Sequence, residues 1–230
     1  MPTPTPKPRP RVFIASPLFN PAQHAIIESI ERLLTAAHYE FYSARRDSGS
    51  DKLSPIQRKD INAWNPVFES NEQGLDVCRV CIAVLEYALP TEQHRLGLLV
   101  PPIGELYTHK DPNIYRQGLD ETPYRFTPLE LPDAGTVWET GYLRAQGKLV
   151  IGYHSKKKAS HLNLMLSHGC DGLISGVENL RRFLNPPASH HQNRYPPHTR
   201  ARLSKLPRRM RDEAQLFDWT ACEPWTETVE

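Results

Sequence analysis

Two periodicities take turns along this chain. Short runs that are apolar at every position include Val12-Phe13-Ile14-Ala15, Val80-Cys81-Ile82-Ala83-Val84-Leu85 and Leu149-Val150-Ile151-Gly152-Tyr153. Longer stretches between them carry apolar residues every three or four positions. A run apolar on both sides of the pleat is what a strand shows when helices cover both faces of a parallel sheet. Ile26, Ile27, Ile30, Leu33 and Leu34 predict a helix from Pro21 to about His38, with Pro21 suited to its first turn. Tyr39 to Ser43 is expected as the second strand. A helix from Ser54-Pro55 to about Leu75, with a break at Pro66, leads into a strand from Val77 to Leu85. Thr136 to Gln146 reads as a helix ended by Gly147, and residues 149–153 as the fourth strand. Leu173-Ile174 gives a fifth strand before a helix from about Gly176 to Leu184. The alternation predicts an α/β fold: a flavodoxin-like or Rossmann-like parallel sheet with helices on both faces and a cleft at the strand carboxyl ends.

This pattern assigns residues 11–184 to one α/β domain with a long insertion, and leaves two terminal pieces. The insertion, residues 88–132, is rich in proline and aromatic residues, and a long loop feeding a cleft is expected to be a lid or an oligomer contact. Residues 185–230 form a C-terminal extension with a basic stretch containing Arg194, Arg200, Arg202, Lys205, Arg208, Arg209 and Arg211. It lacks a nucleic-acid-binding motif and its acidic end offsets the charge. The expectation is a solvated tail or a strap onto a neighbouring copy, with no nucleic-acid partner. Residues 1–10, Met1-Pro2-Thr3-Pro4-Thr5-Pro6-Lys7-Pro8-Arg9-Pro10, read as a disordered Pro-rich leader without the apolar core of a signal peptide.

Composition narrows the classes. A chain of 230 residues can bury a substantial core. No apolar run approaches the ~20 residues of a membrane-spanning helix, so no membrane association is expected. The formal net charge of +2 selects no partner. Of the four cysteines, Cys78 and Cys81 have metal-ligand spacing. Within a strand, however, positions i and i+3 point to opposite faces. They are expected to be buried thiols of a cytoplasmic protein, with no metal bound.

The candidate chemistry lies in Asp133-Ala134-Gly135-Thr136-Val137-Trp138-Glu139-Thr140-Gly141-Tyr142. Two carboxylates six positions apart are joined by a Gly-Thr pair at the entry to a helix, a spacing that sends both toward one cleft. The free N–H groups of a helix's first turn favour negative charge there, although capping alone also accounts for an acidic residue at such a place. This string resembles the "D-x-G-T-x-x-E-x-G" motif of the nucleoside 2-deoxyribosyltransferase family. Three other segments resemble that family in the same order. Val12 to Phe19 is similar to its opening "Y-I-A-G-P-x-F". Asn71 and the run Val80 to Leu85 are similar to its asparagine or aspartate and "D-x-V-I-A-x-L" strand. Leu162-Asn163-Leu164-Met165-Leu166 is similar to its "x-N-L-M-L". The match covers residues 11–87 and 131–184.

The resemblance implies a flavodoxin-like fold, no cofactor, and a two-step, configuration-retaining exchange of the nucleobase of a 2′-deoxyribonucleoside. Its substrates would be nucleosides and free nucleobases. Glu139 takes the place of the family's nucleophile, and Asp133 that of the acid facing the base, a role that calls for a raised pKa. Gly135 and Thr136 lie in the same substrate-binding turn. Asn71 would hold a sugar hydroxyl and Phe19 would stack on the base. Arg45 and Asp47 would contact the base. Asn163 would reach the site of a neighbouring subunit, which implies a homo-oligomer with shared active sites.

One departure is visible. The family's first strand commonly carries a tyrosine whose hydroxyl orients the nucleophile, and Phe13 stands there instead. Phenylalanine cannot donate that hydrogen bond, so Tyr142, Tyr153 or a tyrosine of the insertion is expected to do so. Two alternatives accompany the transferase reading: a nucleoside or nucleoside 5′-monophosphate N-glycosidase, with water as acceptor, and a non-catalytic nucleotide-binding module. The paired carboxylates argue against the last, because binding alone needs no free carboxylate beneath the sugar.

Overall fold

Every strand of the sheet is short and almost wholly buried, which explains why the sequence carries no polar alternation in them. In the computed structural model the described residues are 9–18, 21–49, 52–54, 56–57, 60–85, 133–155, 169–186, 195 and 197–223. The strands are β1 (Val12–Ala15), β2 (Phe41–Ser43), β3 (Val80–Val84), β4 (Leu149–His154) and β5 (Gly172–Ser175). They pair in the order β2-β1-β3-β4-β5, and all pairings are parallel. This is the flavodoxin-like doubly wound order, whose switch point lies between β1 and β3.

Around the sheet run α1 (Pro21–Ala36), the one-turn α2 (Ala44–Asp47), α3 (Asn65–Val77), α4 (Ala134–Ala145), α5 (Val177–Leu184), α6 (Pro197–Leu203) and α7 (Arg208–Ala214). A 3₁₀ turn, Ile61–Trp64, precedes α3, and another, Trp219–Ala221, ends the described chain. Pro66 does not break a helix, as the sequence suggests; it sits in the first turn of α3, where a missing N–H costs nothing. Consequently α3 runs on to Val77, and β3 begins at Val80 rather than Val77. Helix α4 ends as expected: Gly147, at φ 73°, takes the left-handed position just beyond its last turn.

The two faces of the sheet bury separate cores. Val12, Ile14, Val80, Ile82, Leu149, Ile151 and Tyr153 face α1 and α5. Phe13, Ala15, Tyr42, Cys81, Ala83 and Val150 face the other way, toward Leu75 of α3 and Leu143 of α4. Cys78 belongs with this second group. Cys78 and Cys81 therefore do not diverge as the strand spacing predicts, because Cys78 precedes the strand. Burial pushes the Cys78 thiol up to about 11 and the Cys81 thiol well above its ordinary value, so both stay protonated at neutral pH.

The C-terminal segment corrects a second expectation. Residues 197–223 are neither a solvated tail nor a strap reaching elsewhere. Leu203, Met210, Ala214, Phe217, Trp219 and Ala221 are buried in the same core as α1 and α5. Phe217 stacks on Phe183 at 4.7 Å, and Trp219 meets Phe183 edge-on at 5.4 Å. Gly172 of β5 shows how closely this segment lies: a Cβ there would come within 2.7 Å of Cys222 Sγ. Arg79, just before β3, is ion-paired with the nearly buried Glu213 of α7. At the other end, Arg9 lies over the Tyr39 ring at 4.6 Å and donates to the Leu184 carbonyl. The insertion lies outside the described residues, and no described helix is long and apolar enough to cross a membrane.

Candidate active site

Helix α4 presents a polar stripe where an apolar one is expected. Its sheet-facing positions are Thr136, Glu139, Thr140 and Leu143, at helical spacing; Thr136, Thr140 and Leu143 are buried and Glu139 is partly buried. Thr140 satisfies its hydroxyl by donating to the Thr136 carbonyl, 2.6 Å away. Glu139 has no such partner: among the described residues, nothing donates a hydrogen bond to its carboxylate. A carboxylate set on the inward stripe of a helix without a donor conflicts with local folding preference, and such conflicts cluster at functional sites.

Asp133 is the N-cap of the same helix. Its Oδ2 accepts from the Thr136 amide at 2.7 Å and from the Thr136 hydroxyl at 3.0 Å. The capping role is therefore real, and Gly135 makes room for it: a Cβ there would sit 3.1 Å from Asp133 Oδ2. Glu139 lies well past the first turn, beyond the reach of the free N–H groups that serve Asp133. Burial and then the negative charge of Asp133 push the Glu139 carboxyl up to about 8. Sequence reasoning looks for the raised acid at Asp133; the raised acid in the structure is Glu139.

The strand face beneath this stripe is laid out by register. Tyr42, Phe13, Cys81 and Val150 stand side by side across β2, β1, β3 and β4. Tyr42 stacks on Phe13 with ring centroids 5.4 Å apart and planes within 7°. Its hydroxyl lies 2.9 Å from Asn71 Oδ1 and 3.0 Å from Ser70 Oγ, both on α3. Phe13, Tyr42 and Cys81 share one buried cluster with Leu143, which lies one turn along α4 from Glu139. Asp133 caps α4 and Gly135, Thr136 and Glu139 lie in it; α4 packs on β1, β3 and β4, and Tyr42 of β2 is bonded to Asn71 of α3.

Other expected site residues lie elsewhere. Arg45 is held by two carboxylates of α1, Glu28 at 3.1 Å and Glu31 at 2.5 Å. Asp47 turns its Oδ2 back to the Ser43 amide at 2.9 Å and its Oδ1 to Arg46. Of the tyrosines expected to replace the family's, Tyr153 lies in the opposite core, and Tyr142 points outward, donating to Asp76 and stacking on Trp138 at 5.2 Å. Phe19 and Asn163 lie outside the described residues. Sequence reasoning missed Tyr42, whose place depends on the β1–β2 register. Among the described residues no cluster of His, Cys, Asp and Glu could hold a metal ion.

No protein-family model matches the chain, and none of the curated proteins matches it in sequence. Among solved structures, a 2-deoxyribosyltransferase from the psychrotolerant bacterium Bacillus psychrosaccharolyticus superposes with a TM-score of 0.47 at 14% identity, covering 75% of this chain and 91% of that one.

Proposed function

We propose that this protein exchanges the nucleobase of 2′-deoxyribonucleosides, with Glu139 as nucleophile. The observation that carries the reading is the Glu139 carboxylate: inward-facing, without a donor among the described residues, and paired electrostatically with Asp133. The resemblance of the Asp133–Tyr142 string supplies the substrate class.

In the first half-reaction the Glu139 carboxylate attacks C1′ and the C1′–N bond breaks. The electron pair of that bond leaves with the base nitrogen, which takes a proton from Asp133, to which Glu139 passes its own as it ionises. Positive charge develops at C1′ and O4′ as the base departs, and a partly buried carboxylate beneath them stabilises it before bonding. In the second half the nitrogen of an incoming base attacks C1′ from the opposite side. The glycosyl ester breaks, Glu139 regains its electron pair, and Asp133 takes the proton released by the incoming base. Two inversions give net retention.

The test is chromatographic. Purified protein with deoxyinosine and adenine is expected to yield deoxyadenosine, and none when adenine is omitted. Hypoxanthine and free deoxyribose, formed whether or not adenine is present, would make the protein a hydrolase instead. Glu139→Ala should abolish exchange in a folded protein; a folded variant with near-wild-type exchange overturns the mechanism.

The raised Glu139 carboxyl also favours a second assignment, in which Glu139 is the proton donor and Asp133 faces the sugar. The pH profile separates the two. A nucleophile must be ionised, so kcat/KM would climb as pH rises toward about 8; a proton donor must be protonated, so it would fall over the same range.

A further inference from the structure

Asn71 can meet a ligand in two opposite ways, and the structure selects one. A side-chain amide offers a carbonyl acceptor on one side and an NH2 donor on the other, and rotation about its last bond exchanges them. Here Tyr42 settles the choice. Its hydroxyl donates to Asn71 Oδ1 at 2.9 Å, and Ser70 Oγ lies 3.0 Å from the same hydroxyl. Ser70 Oγ also lies 3.3 Å from the Asp47 carbonyl, which ties this end of α3 to the turn after β2.

The tyrosine itself is fixed from three sides. Phe13 stacks against one face of its ring at 5.4 Å. The backbone of β2 is paired with β1 at Phe13↔Tyr42. On the α3 side lies Gly74, in the middle of a helix where glycine costs about 1 kcal/mol relative to alanine. A Cβ at Gly74 would fall 2.6–2.7 Å from three atoms of the Tyr42 ring, so only glycine lets the ring lie there. Gly74 is one turn along from Asn71, on the same buried side of α3 as Val67.

We infer that Tyr42 is a positioning residue: by occupying Asn71 Oδ1 it turns the Asn71 NH2 toward the cleft, so the site reads an oxygen lone pair on the sugar rather than a hydroxyl proton. This inference rests on the nucleoside reading above. It gives the site a preference for groups that accept a hydrogen bond from a neutral amide, such as a sugar hydroxyl oxygen. The tyrosine hydroxyl nearest Phe13 in the sheet is on the neighbouring strand, one register position across, and it bonds the amide of α3 rather than Glu139. Tyr42 lies in the same buried cluster as Leu143, which is one turn along α4 from Glu139.

Tyr42→Phe tests this, because the variant keeps the ring, its stacking on Phe13 and its fit over Gly74 while deleting the hydroxyl. With deoxyinosine as donor, KM should rise about tenfold with kcat changed less than about twofold, the loss of one positioned hydrogen bond. The same substitution in an Asn71→Ala background should have no further effect, because the hydroxyl acts only through the amide. A merely structural tyrosine would give additive losses in that cycle. A second readout needs no turnover: the side-chain NH2 resonances of Asn71 in ¹⁵N-labelled protein should be sharp in the wild type and broadened in Tyr42→Phe. Unchanged Asn71 resonances, or additive losses, overturn the inference. Resonances that do depend on Tyr42, in a protein that exchanges no base from any deoxyribonucleoside, would leave the positioning intact and remove the nucleoside reading.

Discussion

The two faces of the sheet share the same five strands and are built to opposite rules. One face, against α1 and α5, is covered by large apolar and aromatic side chains and sealed by the C-terminal segment, with Phe183, Phe217 and Trp219 in mutual contact. The other, against α3 and α4, sets the stacked Phe13 and Tyr42 among small residues and thiols, Ala15, Cys81, Ala83 and Cys170, and beneath α4 meets a stripe containing a carboxylate. In register, Ala15, Ala83 and Gly152 form a row of minimal side chains across β1, β3 and β4. The first face buries area and contributes stability. The second gives up area to hold polar groups whose environment is set by what is absent around them. The division of labour is testable from either side.

The largest expected effect is at Glu139. Glu139→Gln keeps the shape of the side chain and removes the charge, and exchange should fall by roughly a thousandfold or more, since the group proposed to form the ester is gone. Stability should respond in the other direction. In the folded state this carboxyl is raised from 4.5 to about 8, so the folded protein holds a proton that the unfolded chain releases. Its contribution to stability is therefore present in full below about 4.5, declines as pH rises, and is gone by about 8. Wild-type melting temperature should fall across that window more steeply than that of Glu139→Gln, measured by calorimetry at a series of pH values. Parallel curves would show that the carboxylate is not held against its preference.

On the opposite face the signs reverse. Trp219→Ala empties a site packed against Phe183 and Tyr195 and should cost about 3–5 kcal/mol. In a chain of this size that lowers the melting temperature by roughly 2–4 °C per kcal/mol. Activity per folded molecule should stay within about twofold. Loss of activity in the folded variant would break the comparison by showing that the aromatic core also shapes the cleft.

Gly74→Ala is a smaller insult on the catalytic face. The new methyl cannot fit against the Tyr42 ring without moving it. Overpacking of this kind costs about 1–3 kcal/mol, although alanine is the better helix former. A stabilised variant with unchanged KM would mean that the ring moves freely and that α3 and β2 are not packed as tightly as they lie.

How much of this was legible beforehand follows from the same division. The strands and α1, α4 and α5 could be read because each has an unbroken apolar run or a helical stripe bounded by Pro or Gly. Glu139 and Asp133 could be read from their motif. Helices α6 and α7 could not, because arginine-rich composition masked a weaker signal: Met210, Ala214 and Phe217 recur at helical spacing and are the residues that turn inward. Tyr42 was hidden for a different reason. A three-residue strand has no periodicity to speak of, and which face its middle residue takes is decided by pairing with β1. Arg45 misled because its partners, Glu28 and Glu31, lie on another helix.

The smallest effect sharpens the comparison most. Asp133 does two things at one carboxylate: Oδ2 caps α4 through the Thr136 amide and hydroxyl, and the acid is proposed to exchange a proton with the base. Asparagine caps a helix about as well as aspartate, whereas alanine does not and costs roughly 1 kcal/mol. Asp133→Asn should therefore melt close to the wild type while losing exchange, and Asp133→Ala should lose both. If the structural role were the whole of it, Asp133→Asn would retain exchange as well as stability. Removing the negative charge also withdraws one of the two causes that raise Glu139, so the pH dependence of stability in Asp133→Asn should end below about 8. That shift in the titration of a residue six positions away would follow from the pairing of the two carboxylates, and a cap alone would not produce it.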